Sequence, residues 1–125
     1  MLIIKASFVV AILSSVLFLE ADCAITVRIN QRWSELDPKV WSYGTSFSAV
    51  HGQQDIAYPE STDRCLVLFA NKVGHMYARN VAEATVTYVL HEDTTNLATA
   101  ETNIFPGDVH ELMAKNVSIY IKKRK

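Results

Sequence analysis

Strict alternation of apolar and polar residues is the feature that most constrains this chain. Ile25, Val27 and Ile29 alternate with Thr26, Arg28 and Asn30. Trp41, Tyr43, Thr45, Phe47 and Ala49 repeat at the same period, as do Ala84, Val86, Tyr88 and Leu90, and then Val117, Ile119 and Ile121. Side chains on a strand point to opposite faces in turn, so a period of two marks strands with one buried face. Cys65 to Ala70 is instead a short continuous apolar run, which fits a strand covered on both faces. β-Branched and aromatic residues dominate all five segments, as a pleated surface favours. Asp37-Pro38 and Phe105-Pro106-Gly107-Asp108 supply turns between them. The expectation is an all-β protein, an antiparallel β-sandwich or barrel. The segment from Asp93 to Thr102 reads equally as a single helical turn, with Asp93 as its cap, or as a loop.

The first residues follow a different logic. Lys5 precedes an uncharged apolar stretch from Ala6 to Leu19, and small residues follow at Ala21, Cys23 and Ala24. That order is the signature of a secretory signal peptide, and the apolar stretch is shorter than the roughly 20 residues a membrane span needs. Residues 1–21 are therefore expected to be the signal, and residues 22–125 a single exported domain. Cleavage after Ala21 keeps Cys23 with Cys65, which would pair in an oxidising compartment; cleavage after Cys23 leaves Cys65 alone. Asn116-Val117-Ser118 is an N-glycosylation sequon, which takes a glycan only in a eukaryotic host and at an exposed site.

Charge and motifs narrow the function classes. Twelve Lys and Arg against thirteen Asp and Glu leave a net charge of −1, which disfavours wholesale capture of nucleic acid. His51, His75, His91 and His110 stand in no H-x-H, H-E-x-x-H or C-x-x-C spacing, so no metal site is written locally. Pro106 to His110, with Asn116, faintly resembles the second cupin motif, but the partner motif with two histidines and a glutamate is missing. No G-x-S-x-G elbow exists, and four glycines leave no phosphate-cradling loop. Glu92, Asp93 and Glu101 are the carboxylates a glycosidase would need, yet they lie on a polar loop where carboxylates are ordinarily solvated. The expectation is a protein that is not an enzyme and takes no cofactor.

Three blocks, in order, resemble the fungal fruit-body lectin family. The first is Ile25-Thr26-Val27-Arg28, Gln31 and Val40-Trp41-Ser42-Tyr43; the second is Leu68-Phe69-Ala70-Asn71 with Gly74. The third and most specific is Tyr88, Asp93, Thr95-Asn96-Leu97-Ala98 and Glu101-Thr102. The resemblance implies an actinoporin-like β-sandwich that binds sugars without altering them. It further implies one site for galactosyl-N-acetylgalactosamine and another for N-acetylglucosamine. The family's first site uses a glycine- and serine-rich loop, where this chain has His51-Gly52-Gln53-Gln54 and Glu60-Ser61-Thr62. The second carries over onto Asp93, Thr95 and Asn96.

The residues themselves allow the same chemistry. Glu92 to Asn96 is a polar run beside the strand that holds Tyr88, and mixes carboxylate acceptors with amide donors. Tyr88, Asp93, Thr95 and Asn96 are thus the expected sugar contacts. Trp41 is expected in the core, and Trp33, in a loop, is free to stack on a sugar or a membrane interface. The expected partners are glycans carrying galactose or N-acetylhexosamine. A membrane surface, met by the cationic tail Lys122 to Lys125, is the lesser expectation. A secreted effector or membrane-active toxin-like protein without a working sugar site is the alternative from another class.

Overall fold

Backbone pairing turns the alternating segments into two layers. The computed structural model describes residues 25–49, 52–71 and 73–124, and among these residues there is no helix. The expected signal peptide and Cys23, the other half of the expected bridge, lie outside the described residues; Cys65 itself is a buried free cysteine. The described strands are β1 (Ile25–Val27), β2 (Gln31–Arg32), β3 (Trp41–Ser48), β4 (Gln53–Ala57), β5 (Arg64–Ala70) and β6 (Met76–Asn80). They continue as β7 (Val86–Glu92), β8 (Leu97–Ala98), β9 (Thr102–Ile104), β10 (Val109–Leu112) and β11 (Asn116–Lys122). One sheet has the order β1-β10-β6-β5-β4; the second runs β2-β8-β7-β11-β3, with β9 also paired to β7. The pairing is antiparallel except between β1 and β10. The molecule is an all-β sandwich.

The inner faces meet in one apolar core. The second sheet contributes Phe47, Val86, Tyr88, Leu90, Val117, Ile119 and Ile121; the first contributes Val27, Ile56, Leu66, Leu68, Met76, Ala78 and Leu112. The period-two reading of β7 and β11 holds, because each strand keeps one register against its neighbour from end to end of their shared ladder. Cys65 to Leu68 are all buried, as a run covered on both faces requires. β4 and β6 carry no clean alternation, so a period of two does not locate them, while the turn at Pro106 to Asp108 leads into β10, which lies between β1 and β6. β6, for example, sets Met76 and Ala78 beside Asn80 on one face and Tyr77 beside Arg79 on the other.

β3 departs from the expected pattern. Ile119 and Tyr120 are consecutive, yet they oppose Thr45 and Tyr43, so Gly44 is an extra residue in the ladder. A bulge of this kind shifts side chains to the other face beyond it. Phe47 and Thr45 therefore share the inner row with Val117 and Ile119, while Tyr43 and Trp41 share the outer row with Tyr120 and Lys122. Trp41, expected in the core, is a half-buried residue of the outer face, with the Lys122 ammonium 5.8 Å from its ring centroid. Glycine suits the bulge for a local reason. A Cβ there would sit 3.2 Å from the Ile119 carbonyl oxygen and 3.2 Å from Ile56 Cγ2.

The segment from Asp93 to Thr102 also resolves. Residues 93–96 form the turn of the β7–β8 hairpin, closed by the Asn96 amide donating to the Glu92 carbonyl at 2.9 Å. Asn96 has φ 59°, a left-handed conformation that asparagine tolerates better than most residues and that no helix continues through. The loop alternative, not the helical turn, is the one realised.

Candidate functional site on the outer face of the second sheet

Because Val117, Ile119 and Ile121 face inward, β11 presents Asn116, Ser118, Tyr120 and Lys122 outward. Register sets their neighbours: Ser118 lies between His91 of β7 and Ser46 of β3, and Tyr120 lies between Val89 and Tyr43. Trp33, just past β2, lays its ring on His91 with centroids 4.3 Å apart and planes 28° apart. The same indole tilts against Tyr120 at 5.4 Å, and Tyr43 meets Tyr120 edge-on at 5.6 Å. Four rings thus run across the sheet in contact, with Tyr43 56% exposed and Trp33 and Tyr120 partly so. Burial, with the Tyr43 phenol and the Asp93 carboxylate nearby, pushes the Tyr120 phenol above its ordinary range, so it stays a neutral donor.

Polar groups line one end of this row. Ser118 Oγ donates to Asp93 Oδ1 at 3.1 Å. That fixes Ser46 Oγ as the donor to Ser118 at 3.1 Å, and the Tyr43 hydroxyl as the donor to Ser46 at 2.7 Å. The chain of hydroxyls runs one way and ends on a carboxylate. His91 joins the two turn residues: Nδ1 is 3.4 Å from Asp93 Oδ1, and Nε2 is 2.7 Å from Asn96 Oδ1. Asp93 Oδ2 and the Asn96 amide nitrogen keep hydrogen-bonding capacity for solvent or a ligand.

The expected contacts separate under this geometry. Asp93 and Asn96 converge on His91. Thr95 does not join them, since its hydroxyl donates to Glu92 Oε1 at 2.9 Å within the turn. Tyr88 must be corrected: it is fully buried in the core, with its hydroxyl 2.8 Å from His110 Nδ1, and it cannot reach a ligand on the surface. The aromatic partners of Asp93 are Trp33, Tyr43 and Tyr120. Tyr120 was legible as an aromatic at an outward position of an alternating strand; Tyr43 was hidden by the bulge at Gly44.

The Tyr88–His110 pair carries a pH dependence of its own. Burial pushes the Tyr88 phenol far above its usual range and lowers the His110 imidazole below its ordinary value, the latter partly opposed by Asp108. Both groups are therefore neutral in the fold, whereas the unfolded chain protonates its histidine at the ordinary value near 6.5. Below that pH the unfolded state binds the extra proton, so stability falls as pH drops from about 6.5 towards the lowered folded value. The urea midpoint is expected to fall between pH 7 and pH 5, and His110→Gln is expected to shrink that fall. An equal fall in both proteins would contradict the assignment.

Other chemistry is sparse. Burial pushes the Cys65 thiol up to about 11, which makes it a poor nucleophile. Among the described residues no group of three or more His, Cys, Asp or Glu side chains is placed to hold a metal ion. A recess of about 520 Å³ at one end of the sandwich is lined by residues that include Tyr58, Asp63, Arg64, Glu83 and Arg124, with mixed charges. The Arg124 guanidinium already stacks over the Tyr58 ring there at 3.7 Å. No family model, curated protein or solved structure matches this chain. Fold and face together define a β-sandwich with a partly exposed aromatic platform that ends in a carboxylate–amide pair.

Proposed function

We propose that the protein is a secreted, non-catalytic carbohydrate-binding protein whose site is this outer face. A pyranose has an apolar C–H face and a rim of hydroxyls. Aromatic rings receive the first, and planar carboxylate and amide groups bracket adjacent hydroxyls of the second. The observation that carries the reading is the row Tyr43–Tyr120–Trp33–His91, lined at one end by Asp93 and Asn96. The Asp93 carboxylate accepts from Ser118 at both oxygens, yet it and the Asn96 amide nitrogen keep hydrogen-bonding capacity. The resemblance to fungal fruit-body lectins supports it, since its most specific block includes the turn that holds Asp93 and Asn96. Glycans carrying galactose or N-acetylhexosamine are the proposed partners.

The test is a glycan array probed with the mature protein and with Asp93→Ala. Wild type is expected to bind a galactose- or N-acetylhexosamine-containing subset. Loss of the charged acceptor is expected to weaken binding by about tenfold to a hundredfold, the effect of one charge-assisted hydrogen bond. A folded protein that binds no glycan, yet binds lipid vesicles, would instead support the membrane-active alternative. Release of free sugar from the bound glycans would contradict a non-catalytic role.

A further inference from the structure

We infer that Asn116 carries an N-linked glycan, and that this glycan lies along the outer face of the second sheet, where it competes with external glycans for the aromatic platform. The second half rests on the carbohydrate-binding reading; the first rests on the export that the N-terminal segment predicts and on that export running through a eukaryotic secretory pathway. Asn116-Val117-Ser118 satisfies the acceptor sequence. The fold then places the acceptor where a glycan can be held. Asn116 opens β11, is exposed, and commits only its backbone, its carbonyl accepting from the Asp93 amide at 3.1 Å. Ser118 is buried in the fold and donates to Asp93. That does not obstruct modification, because transfer to the extended chain during export precedes folding.

In the transfer, the Asn116 side-chain nitrogen forms a bond to the anomeric carbon of a lipid-pyrophosphate-linked oligosaccharide. The bond from that carbon to the pyrophosphate oxygen breaks, the lipid pyrophosphate leaves with the bonding electrons, and the amide gives up one proton to a base of the transferase. The product places a sugar in the same outward file as Ser118 and Tyr120. Tyr120 lies four positions beyond Asn116, about 13 Å along the strand. The first few sugars of an N-glycan span a comparable length. The direction towards the platform therefore passes Asp93 and His91, the polar groups proposed for external sugars.

Export of the full chain from a eukaryotic secretory host, followed by intact mass measurement, tests the attachment. A mass increment is expected that peptide:N-glycosidase removes and that Asn116→Gln lacks; its absence would overturn the assignment. Placement is read separately. In a Trp41→Phe background Trp33 is the remaining tryptophan, since the chain has two. Acrylamide quenching of its fluorescence is expected to be weaker in the glycosylated form than in Asn116→Gln. Array binding by Asn116→Gln is expected to be about tenfold tighter if the glycan occupies the platform nine-tenths of the time. Equal quenching together with equal binding would overturn the placement. If Asn116→Gln binds no glycan at all, the carbohydrate-binding reading fails, while mass and quenching still decide where the glycan is and whether it exists.

Discussion

Asn80→Ala is expected to destabilise the protein by about 3 kcal/mol, the sum of three lost hydrogen bonds at the low end of about 1–3 kcal/mol for each group left unsatisfied. Asn80 is 1% exposed at the end of β6. Its amide nitrogen donates to the Ala84 carbonyl at 2.9 Å and the Ile104 carbonyl at 2.8 Å, and its Oδ1 accepts from the Ala82 amide at 2.7 Å. Its backbone is spent as well, donating to Asp108 and accepting from Gly107. One side chain therefore holds the β6–β7 turn in shape and joins it to β9 in the other sheet. The low end of the range applies because Ala82 and Ala84 lie near enough to the surface for water to relieve them partly. Ile104 has no such relief, since it is fully buried. Aspartate cannot rescue the site: it lacks both donors and sets a carboxylate against two carbonyl oxygens. Urea unfolding at pH 7 should show a lower midpoint with unchanged slope for Asn80→Ala, and Asn80→Asp no better. Against a total stability of about 5–15 kcal/mol this is a large fraction. A loss under about 0.5 kcal/mol, the scale of ordinary surface substitutions, would show that the turn holds itself without Asn80.

How far the sequence reaches is clear from where particular residues ended up. Alternation located β7 and β11 and their inner rows, since Val86 to Leu90 and Val117 to Ile121 keep an unbroken period of two. The same rule failed at β3, where one extra residue at Gly44 moved Trp41 and Tyr43 outward; alternation alone has no way to announce a bulge. The candidate site was half legible. Asp93 and Asn96 stood out as a polar run, and Trp33 as an aromatic in a loop. Tyr88 misled because it too is polar at one end. Only the pairing of β7 with β11 and β9, and the distance to His110, show that its hydroxyl is satisfied inside the core. The convergence of His91, Ser118 and Ser46 depends on strand order, with β11 lying between β7 and β3, and residues 27 and 45 positions apart carry no local sign of that.

Trp33→Ala is expected to weaken binding of multivalent galactose and N-acetylglucosamine conjugates by about 30-fold or more, the effect of removing a tryptophan anchor that a bound ligand covers, worth about 2 kcal/mol or more. The indole supplies the largest ring of the platform and also holds His91 by stacking, while His91 in turn faces Asp93 and Asn96. Loss of Trp33 therefore removes contact area and loosens the polar end together. That dual role makes a further consequence testable. Trp33→Ala and Asp93→Ala share His91 as a neighbour, so their effects should not add, with a coupling of about 0.5–3 kcal/mol in a double-mutant cycle. Trp33→Phe keeps a ring and should recover part of the loss. Stability should change less than binding, because Trp33 is partly exposed and lies outside the core cluster between the sheets. Additive effects would mean that the two residues act at separate places. Binding by folded Trp33→Ala at wild-type strength would move the site off this face altogether, because no sugar could use the platform and be indifferent to its largest ring.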